Sequence, residues 1–133
     1  ASILLDQIIK VNEIKKKLIK LFLYYKKIIS EIPDIKLVDK ELIEGRVPLY
    51  IECYSKKKDL IFKKIKNSKK IIRVNYQSLN KTKYFQKFLN KNKKNIFEHS
   101  NNYNNYSFYL PSGPDQNFKE VKILLNHLKK ILK

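Results

Sequence analysis

Along the first quarter of the chain, Leu4, Ile8, Val11, Leu18, Phe22, Tyr25 and Ile29 follow one another at intervals of three, four or seven residues. That spacing is one stripe of a helix, and it predicts a long opening helix over about residues 3–31. Lys16, Lys20 and Lys27 fall on its opposite side. So many like charges cannot hold a lone helix, so the apolar stripe must pack on something. Pro33 and the polar run 34–45 end the helix and form a connection.

The period then changes. In RVPLYIECY, Val47, Leu49, Ile51 and Cys53 alternate with Pro48, Tyr50, Glu52 and Tyr54, which predicts a strand over about 47–54 with one buried face. Pro48 cannot donate to a ladder and marks an edge or a strand start. SKKKDLIFKKIKNS follows as a short amphipathic helix over about 57–67, with Leu60, Ile61, Phe62 and Ile65 turned inward. Ser55 is its expected N-cap, and Asp59 suits the positive end of the helix dipole. Ile71 to Tyr76 reads as a second strand that runs into a loop reaching residue 85. Residues 90–105 are rich in Lys and Asn and predict a mobile surface loop. After a short extended piece, Ser107 to Leu110, the run PSGPDQN supplies turn residues, and Asn117 with Glu120 forms a capping-box pattern. Val121, Leu124, Leu125, Leu128 and Leu132 then make the stripe of a closing helix over about 117–132. The order predicts a single α+β domain over residues 1–133, a small antiparallel or mixed sheet covered by helices.

Composition changes this picture in one respect. The formal charge is +18 over 133 residues, which invites a nucleic-acid reading, because clustered cations displace counterions from phosphates. Yet of the 30 basic residues only Arg46 and Arg73 are arginine, the side chain best suited to bidentate phosphate and base contacts. Lys, Ile and Asn all have A/T-rich codons, so base composition alone accounts for lysine on every solvated face. The lysines are also spread along the chain. No apolar run reaches the roughly 18 to 20 residues of a membrane span, and a soluble, cytoplasmic protein is the expectation.

Little in the residues assembles a self-sufficient catalytic site. There is no HExxH, no Gly-rich phosphate loop and no GxSxG, and only Gly45 and Gly113 serve tight backbone turns. Cys53 is the single cysteine and reads as a small buried apolar residue. His99 and His127 are too far apart to suggest a local metal motif, and no metal site is expected. The acidic residues are scattered partners for lysine. Tyr103 and Tyr106 have the interleaving with polar residues that stacks single-stranded bases, but packing is the commoner use.

Four stretches carry a family resemblance. IRVNYQSLNKTKYF resembles the part of DegT-type sugar aminotransferases where a strand ending in Arg-Pro or a His-aromatic pair precedes an aromatic, a Leu-His and a Gln-Pro-Tyr-like end. YSFYLPSGPDQNFKEVKILLNHL resembles their closing segment, a Leu-Pro-Ser turn before a capped final helix. RVPLYIECYSKKKDLIFKKI is similar to the strand and helix before the first of these, and ASILLDQIIKVNEIKKK to the helix leading into the small domain. Together they cover nearly the whole chain in the family's order.

The resemblance implies the small C-terminal domain of a fold-type I enzyme dependent on pyridoxal phosphate. That enzyme moves an amino group from an amino acid, usually glutamate, to a nucleotide-linked keto-sugar. The Schiff-base lysine, its companion aspartate and most of the cofactor site belong to the large domain of the same chain, so no catalytic residue is expected here and the fragment alone should be inactive. A start at Ala1 fits an excised domain, and a homodimer is implied for the complete enzyme. Carried over by position, Arg73, Asn75, Tyr76 and Asn80 are the implied substrate-facing residues. Val74 replaces the family's proline, and Asn75 and Asn80 stand where imidazole is common, which leaves hydrogen bonding to sugar hydroxyls as their expected role. Two other classes remain open at this point: a basic nucleic-acid-binding module, and an aminotransferase-derived interaction domain without activity.

Overall fold

The computed structural model describes residues 8–39, 41–65, 72–88 and 97–133. Its elements are α1 (Val11–Ile29), β1 (Lys36–Leu37), β2 (Ile51–Tyr54), α2 (Lys58–Ile65), β3 (Arg73–Val74), a 3-10 turn (Leu79–Lys81), α3 (Lys83–Gln86), α4 (Glu98–Tyr106), β4 (Ser107–Leu110) and α5 (Phe118–Leu132). The fold is α+β. Among the described residues four short strands pair antiparallel in the order β1-β2-β4-β3.

Strand alternation divides the sheet into two faces. Cys53 lies opposite Leu37 and Phe108, and Ile51 opposite Leu110. All five side chains are buried. They meet Leu21, Phe22, Tyr25 and Ile29 of α1, Ile61 and Ile65 of α2, and Val121, Leu124, Leu125 and Leu128 of α5 in one continuous core. The stripes of α1 and α5 are apolar at helical spacing because each helix has only this sheet face to cover. Tyr25, in mid-core, donates its hydroxyl to the Pro111 carbonyl at 2.9 Å, so its polar end is satisfied and α1 is tied to the turn before α5. Asp34 takes a left-handed φ of 64°, which turns the chain sharply from α1 toward β1, and its carboxylate meets the Lys57 ammonium at 2.7 Å. Asn117 caps α5 by accepting from the Lys119 N–H.

Several boundaries differ from the pattern-based expectation. Ladder pairing begins only at Ile51. Before it Pro48 is buried while Leu49 is exposed, so the alternation read from Val47 onward loses phase at the proline, where no donor is available to hold it. In the opening helix, Ile8 and Val11 are exposed, and the buried stripe starts at Leu18 and includes Leu21. Leu4 and the rest of residues 1–7 lie outside the described residues, as do 66–71 and 89–96. Leu60 is exposed, while Ser55 is buried and accepts from the Lys57 N–H. The largest correction concerns the expected loop 90–105. Residues 98–106 form α4, which buries no side chain in the core and is held instead by polar contacts described below.

Candidate functional site

The outer face of the sheet is polar and aromatic. Register places Glu52 beside Tyr109 and Tyr109 beside Arg73, with Tyr54 opposite Ser107. At the end of this face, where β3 and β4 leave the ladder, an open groove of about 790 Å³ runs between the strands, the Leu110–Gln116 turn and the flank of α5. That volume falls in the range of roughly 300–1,000 Å³ common for small-molecule sites.

Arg73, on β3, and Tyr76, on the loop after it, border the groove. Tyr76 is 81% exposed, and its ring meets Tyr109 edge-on at 6.4 Å between centroids. Tyr109 also meets Tyr50 at 5.5 Å. The three tyrosines form an aromatic wall with the Arg73 guanidinium beside it. Gln116 and Glu120 add polar groups from the far side. Such a groove can take a ring on its aromatic wall and an anionic group on its arginine.

Asn75 and Asn80 do not border the groove. The Asn75 side-chain amide donates to Glu52 Oε1 and to Ser107 Oγ, both at 2.7 Å, and its Oδ1 accepts the Tyr76 backbone N–H at 2.8 Å. Asn80 donates from Nδ2 to Asn101 Oδ1 of α4 at 2.9 Å, and its own Oδ1 is buried without a partner among the described residues. It belongs to a set of contacts that docks the 75–82 loop on α4. In that set Ser78 Oγ donates to the Ser100 carbonyl, Lys81 Nζ to Asn105 Oδ1, and Asn104 Nδ2 to the Tyr76 carbonyl. Lys58 of α2 donates to the Asn104 carbonyl at 2.9 Å, and burial pushes its ammonium pKa down. These tertiary bonds explain why an Asn-rich segment of poor helix propensity is helical.

Glu52 lies under this arrangement. Burial, followed by hydrogen bonding to and charge repulsion from Glu52, pushes the Tyr103 phenol above its ordinary value, and burial and the same carboxylate raise Tyr109. Sequence reading misses Glu52, Tyr50 and Tyr109 as neighbours of the site. Their alternation along β2 and β4 is visible in the chain, but the antiparallel register that brings them together is not.

No protein-family model and no curated protein sequence matches the chain. Among solved structures it is similar to Helicobacter pylori PseC, an aminotransferase involved in the biosynthesis of pseudoaminic acid, with a TM-score of 0.81 at 15% sequence identity. The match covers 96% of this chain and 35% of that one. At this identity the likeness is one of fold. This chain therefore spans about a third of the length of the protein it matches.

Pyridoxal phosphate, which the sequence resemblance implies, needs a lysine for its Schiff base. Among the described residues no lysine borders the groove. No group of three or more potential metal ligands occurs among the described residues. No helix among them is long and apolar enough to cross a membrane.

Proposed function

We propose that this chain is the small C-terminal domain of a DegT-type, pyridoxal-phosphate-dependent sugar aminotransferase, and that its groove forms one wall of the active site. The complete enzyme transfers an amino group from an amino acid, glutamate in the family, to a nucleotide-linked keto-sugar. Two observations support the reading independently: the motif order found along the sequence, and the fold likeness to PseC at TM-score 0.81 over 96% of the chain. In this reading the rest of a longer polypeptide holds the cofactor and the Schiff-base lysine. The enzyme works in the cytoplasm as a homodimer.

The roles of the residues present follow from their chemistry. Arg73, an always-charged planar fork, takes an anionic group of the substrate such as a phosphate. Tyr76, with Tyr109 behind it and Tyr50 next in line, offers a ring face to sugar or base and keeps water from one side of the bound molecule. Asn75 and Asn80 act indirectly, by holding the loop that carries Tyr76.

The test is an assay of amino transfer from glutamate to a nucleotide-linked keto-sugar in the complete protein. Arg73→Ala should raise KM by about ten- to a hundredfold, the equivalent of a hydrogen bond to a charged group. Tyr76→Ala should weaken catalysis about three- to tenfold, in keeping with the loss of one aromatic contact. Wild-type kinetics in both variants would remove the groove from the active site.

A further inference from the structure

We propose that Glu52 is a positioning residue for the groove: through the Asn75 amide, with Ser107 as second anchor, it fixes the backbone at Tyr76 and with it the stance of the Tyr76 ring in the aromatic wall. Donors and acceptors decide the arrangement. An Asn side chain has two N–H donors and one carbonyl acceptor, and the amide can in principle be turned either way. An ionised carboxylate only accepts. With Glu52 Oε1 at 2.7 Å, the Asn75 amide must present its nitrogen to β2, because the reverse orientation would set two acceptors against each other. The same nitrogen reaches the buried Ser107 Oγ on β4, also at 2.7 Å. Only one direction is left for Oδ1, toward the Tyr76 N–H, which it accepts at 2.8 Å.

The chain of consequence runs from a carboxylate on the central strand, through one amide, to the backbone of the most exposed residue in the wall. Tyr103 of α4 lies close enough to Glu52 that burial and this carboxylate together hold its phenol above the ordinary value. The ladder does not reach Tyr76, because β3 ends at Val74. Its N–H is held by Asn75 and its carbonyl by Asn104 of α4. Glu52 itself does not border the groove and need not touch a ligand. The consequence for turnover rests on the groove being a substrate face; the anchoring does not.

The experiment reverses the polarity of the pair. Asn75→Asp sets a second carboxylate against Glu52 and removes both donors. Combining it with Glu52→Gln restores a complementary pair, since the glutamine amide introduced at position 52 donates to the new carboxylate. The readout is hydrogen exchange of the Tyr76 amide by NMR, with the Phe108 amide of β4 as reference for global opening. Asn75→Asp should accelerate Tyr76 exchange about three- to tenfold, the fold-change of one net hydrogen bond, and the double variant should bring it back while Phe108 stays unchanged. Asn75→Ala, which adds no charge, should accelerate Tyr76 exchange whether residue 52 is Glu or Gln. The inference is overturned if Asn75→Asp or Asn75→Ala leaves Tyr76 unmoved, or if Glu52→Gln fails to restore the Asn75→Asp variant. In the complete enzyme the same variants should change KM more than kcat, with the double variant again recovering. A protein that shows the exchange pattern but transfers no amino group keeps the anchoring and loses the aminotransferase reading.

Discussion

On the inner face of the sheet Cys53, Phe108, Ile51 and Leu110 are buried against three helices, and exchange of one apolar group for another of similar size would still leave a core. On the outer face Glu52, Asn75 and Ser107 form a network in which each donor needs a particular acceptor. The inner face confers stability by area and is tolerant of detail. The outer face contributes little area and depends on direction.

The contrast is sharpest at adjacent residues. Phe108 is fully buried, while Tyr109, next in β4, faces out. Phe108→Ala should cost about 3–5 kcal/mol in chemical denaturation, the range of a large aromatic deleted from a core. Tyr109→Ala should cost only about 1–2 kcal/mol, from its ring contacts with Tyr50 and Tyr76. Similar losses for both would dissolve the distinction between the faces.

A smaller effect tests a polar group built into the core. Tyr25→Phe keeps the ring and removes the hydroxyl bond to Pro111, leaving a carbonyl without its partner, for a loss of about 1 kcal/mol near neutral pH. Burial pushes the Tyr25 phenol above its ordinary value. The folded state therefore favours the neutral phenol, and that contribution is whole up to about pH 9, where the unfolded phenol of pKa about 10 begins to ionise, and is lost as pH rises further. Tyr25→Phe should flatten the alkaline decline in stability measured by thermal melts from about pH 9 upward; an unchanged slope would place the decline elsewhere. The smallest effect is expected at Tyr76, where 81% exposure predicts that Tyr76→Ala changes stability by no more than about 0.5 kcal/mol. A larger loss would mean that the ring supports the fold and is not free to serve a ligand.

The same division explains what is legible in the sequence. The α5 stripe of Val121, Leu124, Leu125, Leu128 and Leu132 and the buried Cys53 are readable because hydrophobic periodicity reports directly on which side faces the core. Resemblance alone points to Arg73 and Tyr76, and both border the groove. It also points to Asn75 for substrate contact, yet that amide is committed to Glu52 and Ser107, residues 23 and 32 positions away. Periodicity carries no information about such pairings. The Asn-rich composition of α4 speaks for a solvated loop, whereas its helicity is supported by bonds to the β3 loop and to Lys58. Polar structure built from distant partners is legible only once register is known.

Whether this chain is the small domain of a larger aminotransferase is decided by sequencing the gene upstream of the codon for Ala1. The expected result is an open frame encoding a large α/β domain with a lysine placed for a Schiff base and an aspartate to pair with the cofactor's pyridine nitrogen. An in-frame stop codon immediately upstream, with no such domain in the same frame, would contradict the assignment.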